Sequence, residues 1–161
     1  MKKFKGFTLV ELIVVIAIIG VLAAILVPNM MGYISKSKLS SANTAAKNVQ
    51  TAVVTWKADQ ESMGKPSAIT ANTTALDVKN ASSATGVDGA IYNALAGNSN
   101  PGYAFYGESG TGASAVVWAQ WADTNTSPKV WGQYPNACAD YTAFKNQSGA
   151  SFGGYFSNDW Q

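Results

Sequence analysis

The chain has no histidine, no arginine and a single cysteine, and only 12% of its 161 residues are charged. Without histidine, the common zinc and redox site patterns are missing. The same absence leaves Cys138 with no Cys-His pair, and with no second cysteine it has no internal disulfide. Cys138 therefore reads as a small buried hydrophobe. Of the 11 lysines, three stand at positions 2, 3 and 5, so eight face nine acids in the rest of the chain. The largest cluster among those eight is Lys36 and Lys38, which is no basic patch or groove for nucleic acid. Those two read as solvating a helix near a bilayer surface. Asp123, Asn125, Asp140 and Asp159 are oxygen ligands too scattered for a calcium loop, and they read as solvated turn residues. No nucleophile–base constellation appears, so the chain reads as a non-enzyme without a cofactor.

Set against these absences is one long apolar run. The chain opens MKKFKGFTLVELIVVIAIIGVLAAILVPNMM, and from Phe7 to Met31 the only charge is Glu11. Residues 7–27 would rise roughly 31 Å as a helix, enough to span hydrocarbon. A carboxylate inside such a segment costs about 2.5–3.5 kcal/mol on insertion scales, a burden that marks function. An ordinary secretory signal has a shorter apolar stretch of about 7–15 residues followed by a small-residue cut site. A plain membrane anchor fits the length but leaves Glu11 unexplained.

The run K-G-F-T-L-V-E-L, with Glu11 five residues after Gly6 and a later proline at Pro28, resembles the class III signal of type IV pilins and pseudopilins. That resemblance implies a cut by a prepilin peptidase between Gly6 and Phe7, and N-methylation of Phe7. It implies that Glu11 and Phe7 act in assembly and that the helix loosens between Gly20 and Pro28 on polymerisation. It also implies a platform membrane protein and a motor ATPase as partners. The same resemblance makes the cystine that closes the C-terminal loop of many Gram-negative pilins an expectation this chain does not meet. Something other than a disulfide must hold the C-terminal region.

Residues 7 to about 61 read as one helix. After Tyr33 an apolar stripe of Leu39, Ala42, Ala46, Val49, Val53, Trp56 and Gln60 recurs at alternating spacings of 3 and 4, the mark of an amphipathic helix packed on a sheet. Lys36, Ser40, Asn43, Lys47, Gln50 and Lys57 read as its opposite side. Gly64 and Pro66 supply the stop. The next stretch is rich in Ser, Thr, Asn, Ala and Gly and reads as surface connection, with a short helix at 88–96 capped by Asp88 and ended by Gly97. Its N-x-S/T matches, Asn72 and Asn80, and those further on, Asn125 and Asn146, are chance in so Asn-rich a chain. Strands are expected at 103–106, 115–121 and 129–134, with 152–156 as an extra. Thirteen of the 18 aromatics fall after residue 100, and a core of large side chains is their default role.

The expected fold is α+β, a long N-terminal helix on a three- or four-stranded antiparallel sheet. The expected divisions are a leader at 1–6, a membrane or filament-core helix at 7–31, an amphipathic helix at 32–64, a helix-to-sheet loop at 65–101, and the sheet and C-terminal region at 102–161. The expected role is a major subunit that polymerises with its own copies into a pilus, in the cytoplasmic membrane before assembly and outside the cell after it. The alternatives are a major pseudopilin of type II secretion or competence, and a pilus-associated adhesin or DNA-binding minor pilin.

Overall fold

The computed structural model describes residues 6–65, 68–95, 101–110, 115–147 and 149–157. Lys2, Lys3, Lys5, Pro66, Gly97 and Asp159 lie outside the described residues. The chain divides into two compact units, Met1–Ser35 and Lys36–Gln161. One helix, α1 (Leu9–Ser62), contributes residues to each.

In the first unit every described side chain from Gly6 to Ile34 is exposed. Among the described residues, α1 is the one helix long and apolar enough to cross a membrane. It is unbroken at Gly20 and Pro28. A proline inside a helix leaves the carbonyl four residues back without its donor. The side-chain amide of Asn29 adds a bond to the neighbouring carbonyl of Ile25, at 3.3 Å. The loosening expected between Gly20 and Pro28 is not a feature of this unassembled chain.

The second unit holds the rest of α1, which ends at a glycine. Gly64 takes a φ of +69°, which glycine adopts without strain. Lys65 N donates to Gln60 O and Gly64 N to Glu61 O, the paired bonds of a Schellman cap. Four strands form one antiparallel sheet in the order β1 (Leu76–Asp77), β2 (Tyr103–Ser109), β3 (Val116–Ala122) and β4 (Trp131–Tyr134). A second helix, α2 (Gly86–Leu95), lies between β1 and β2 in the chain, and α3 (Tyr141–Asn146) follows β4. Sequence reading misses β1, because two residues are too few to show a period. It also places a strand at 152–156, where the chain makes a turn bridged between Ser151 and Gly154. Asp88 does not cap α2: it sits inside the first turn, and its carboxylate accepts the Tyr106 hydroxyl at 2.6 Å.

The sheet is covered on both faces, which is why β3 runs Trp118, Ala119, Gln120 all buried instead of alternating. On one face, Ala104, Tyr106 and Ala119 pack with Val49 and Val53 of α1 and Ile91 and Leu95 of α2. Fully burying a valine or leucine side chain is worth about 1.5–3 kcal/mol, so this cluster secures the helices to the sheet. The closest approach comes at Gly132, where a Cβ would stand 2.1 Å from the carbonyl carbon of Ala42. Only a glycine at 132 allows the backbone of α1 to pass so close.

The apolar stripe of α1 is buried from Leu39 to Val53, as its spacing requires. The residues expected on the opposite side are not opposite. Asn43 lies four residues beyond Leu39, a turn of 400°, and therefore only about 40° from it. Four of them, Asn43, Lys47, Gln50 and Lys57, form a polar seam against the sheet, while Lys36 and Ser40 are exposed. Asn43 Nδ2 donates to Cys138 O at 2.6 Å, and its Oδ1 accepts from Gln133 N at 3.2 Å. Gln50 Nε2 donates to Val117 O at 3.4 Å. Lys47 Nζ stands 5.5 Å over the ring of Tyr134. Lys57 pairs with Glu108 at 2.6 Å, and Glu108 also accepts from Ile69 N at 3.0 Å.

On the other face the C-terminal segment is held by two buried glutamines. Gln120 and Gln133 are cross-strand partners, 0% and 1% exposed, and Gln120 Nε2 donates to Gln133 Oε1 at 3.0 Å. Gln120 also donates to Gly154 O at 2.6 Å and accepts from Gly153 N at 2.6 Å. Gln133 donates to Phe156 O at 2.7 Å and accepts from Phe156 N at 2.8 Å. Each side-chain amide thus takes the place of a neighbouring strand's peptide group. Phe152 meets Phe105 edge-on at 4.9 Å, and Tyr155 stacks on Trp118 at 5.9 Å. Cys138 is buried and unbridged. The clamp fastens a region that has no disulfide.

Candidate functional site

The first turn of α1 carries the chemistry. Leu9 is its first helical residue, which makes Thr8 the N-cap and Glu11 the third residue of the helix. A helix start leaves four N–H groups without intrahelical acceptors. Here Glu11 N donates to Thr8 Oγ1 at 3.2 Å, and Thr8 N donates back to Glu11 Oε2 at 2.8 Å. The Thr8 hydroxyl adds a third bond to the same Oε2 at 2.7 Å. This reciprocal pair is a capping box. Sequence reasoning passes over Thr8, although T-L-V-E ahead of an apolar run is its signature.

Both donors converge on Oε2. Among the described residues Glu11 Oε1 has no partner, so half of the carboxylate stays open on an exposed helix end. Gly6 and Phe7 precede the helix, and Phe7 is 78% exposed. Nothing stands within 4 Å of the place a Cβ would take at Gly6, so the backbone there is open to another protein. Gly20 is equally open and lies mid-helix with Pro28. Gly6, Phe7, Thr8 and Glu11 thus lie within six residues at the start of α1, and Gly20 and Pro28 stand further along the same helix. Of the scattered acids, Asp140 caps α3 by accepting from Thr142 N and Ala143 N at 2.6 and 3.3 Å. Asn72, one of the N-x-S/T positions, has its amide engaged with Thr74 O, Ala104 O and Tyr106 N.

Residues 1–27 match the prokaryotic N-terminal methylation motif. A fimbrial protein of Moraxella nonliquefaciens is 49% identical over 55 residues, 34% of this chain and 36% of that one. A type IV major fimbrial protein of Dichelobacter nodosus is 43% identical over 61 residues, 38% of this chain and 39% of that one. A type IV major pilin protein of Myxococcus xanthus is 52% identical over 48 residues, 30% of this chain and 22% of that one. The chain thus spans less than two fifths of the length of each of these relatives. No solved structure matches it. With the methylation motif at its start, these relatives over about a third of its length and a long N-terminal helix ahead of an antiparallel sheet, the chain is similar to the type IV pilins.

Proposed function

We propose that this chain is a major structural subunit that polymerises into a type IV pilus filament. The observation that carries the reading is the exposed apolar half of α1 with a single, half-satisfied carboxylate at its start. The relatives named as major fimbrial or pilin proteins support it. Before assembly, the helix lies in the cytoplasmic membrane with Lys2, Lys3 and Lys5 on the inner side, as the bias of basic residues directs. A prepilin peptidase cuts after Gly6, and the new amine of Phe7 is methylated. A platform membrane protein and a motor ATPase then lift the subunit out of lipid.

In the filament, apolar helices replace lipid around one another, and Glu11 Oε1 receives the α-ammonium of Phe7 from a neighbouring copy. The capping box keeps Oε2 engaged throughout, so the carboxylate is already aimed when that amine arrives. Gly20 and Pro28 let α1 loosen where the neighbours crowd. A head-to-tail contact that does not close makes a fibre, and weak contacts add along it. Electron microscopy of filaments sheared from cells, with mass spectrometry of their subunit, tests the proposal. Abundant micrometre-long filaments built of this chain, starting at methylated Phe7, are the expected result. Filaments in which this chain is rare, or in which Met1 is retained, would overturn it.

A further inference from the structure

A groove of about 230 Å³ opens beside the start of the second unit. Ser37, Lys38 and Ser41 of α1 line one wall, and Trp121 and Asp123, where β3 ends, line the other, with Ala42 and Val130 as its apolar lining. Two opposite charges share this groove without neutralising each other. The one ion pair among the described residues is Lys57 with Glu108, and neither Lys38 nor Asp123 has a partner there. An unspent ammonium and an unspent carboxylate in one groove complement a zwitterion. On the Lys38 side, the hydroxyls of Ser37 and Ser41 add neutral donors, which suits an anion with several oxygens. On the Asp123 side, Trp121 lines the groove with its indole N–H held by Pro101 O at 2.7 Å, which fixes an aromatic ring beside the carboxylate. The volume is below the roughly 300–1,000 Å³ of drug-sized ligand sites, so the occupant is a small group.

Position selects the source of that group. Ile34 closes the apolar run, and Lys36 is the first charge after Glu11. Ser37 to Ser41 follow Ile34 by roughly 5–10 Å of helix rise. The headgroup layer on each side of a bilayer is about 5–8 Å deep. We propose that this groove seats the phosphoethanolamine headgroup of a membrane lipid, its phosphate on Lys38, Ser37 and Ser41 and its ammonium on Asp123 and Trp121. The proposal rests on the membrane stage of the function above.

The test uses the full chain in nanodiscs of phosphatidylethanolamine, phosphatidylcholine or phosphatidylglycerol with matched tails, with retained lipid counted by native mass spectrometry. Retention of phosphatidylethanolamine should exceed that of the other two by about fivefold, the upper range for an exposed ion pair. Lys38→Gln and Asp123→Asn should each remove the preference, and both leave the core intact. Entry into nanodiscs itself reports the membrane stage, so a chain that inserts but retains the three lipids equally overturns this site and not that reading. In detergent without lipid, glycerophosphoethanolamine should shift the Trp121 indole N–H signal and inorganic phosphate should not. An equal shift with phosphate would make this an anion site and overturn the headgroup assignment.

Discussion

In the proposed assembly Glu11 serves two ends with two oxygens, and substitution separates them. Removing one member of a buried ion pair costs about 3–5 kcal/mol, because the other charge is stranded. Glu11→Ala also opens the capping box at Thr8. It is expected to insert in the membrane and be processed, but to yield few or no filaments in cells lacking the native subunit. Glu11→Gln keeps the box, which accepts glutamine at that position, and loses only the charge. Its pilus count should fall between the two, and wild-type numbers from Glu11→Ala would show that the carboxylate does not drive assembly. Gly132 stands at the opposite extreme, where the residue's merit is its lack of a side chain. A Cβ there meets backbone of Ala42 and Asn43 at 2.1–2.2 Å, and backbone has no rotamer to yield. Gly132→Ala should cost about 3 kcal/mol or more, the upper range of overpacking, and thermal unfolding followed by circular dichroism would show it.

At the scale of elements, two polar fasteners hold the head and respond to different stresses. The seam between α1 and the sheet includes charged groups. Lys57 and Ile69 N hold the Glu108 carboxyl below its ordinary value of 4.5, and the amides of Thr142 and Ala143 hold Asp140 below 3.8. A carboxyl depressed on folding contributes stability above its unfolded pKa and loses it as pH falls through the folded one. Burial raises Cys138 above 9.0, and burial together with Asp88 raises Tyr106 above 10. Acids whose neutral form is favoured on folding contribute below the unfolded pKa and lose it as pH rises. The melting temperature should therefore hold level through neutral pH, fall below about 4.5 and fall again above 9.0. Glu108→Gln should blunt the acid limb alone. The clamp of Gln120 and Gln133 carries no titrating group. Gln133→Leu removes the bonds to Phe156 N and O and the one from Gln120, each worth about 0.5–1.5 kcal/mol net, while Gln120 keeps Gly153 N and Gly154 O. Amide exchange of residues 151–156 should rise sharply in that variant, while thiol reductant should change nothing in either protein.

For the molecule as a whole, the proposed function makes the division at Ser35 a division of solvents as well. Residues 36–161 hold the buried core, both fasteners and the sheet, and every described side chain from Gly6 to Ile34 is exposed. Expressed alone, residues 36–161 should be a soluble, folded monomer by size-exclusion chromatography and circular dichroism. Aggregation of that piece would mean that the head draws on the apolar segment for its stability. Much of this plan was legible beforehand. The period of 3.6 from Leu39 to Trp56, the glycine stop and the aromatic runs of β2, β3 and β4 are local signals. Glu11 declared itself because a lone charge in an apolar run has a known cost. Long-range geometry left no such trace. A two-residue strand has no period, Gln120 and Gln133 look like surface residues until the C-terminal segment covers them, and Gly132 looks like a turn residue. The two stripes on α1 carry a further consequence. Both repeat every seven residues, so each keeps its facing only while the number of residues between Leu39 and Trp56 stays fixed. A single deletion there would turn everything beyond it by about 100° and bring lysines round toward the place of valines. This part of the chain is free to change its letters but not its length, and a lineage of such subunits should record its history there in substitutions and elsewhere in insertions.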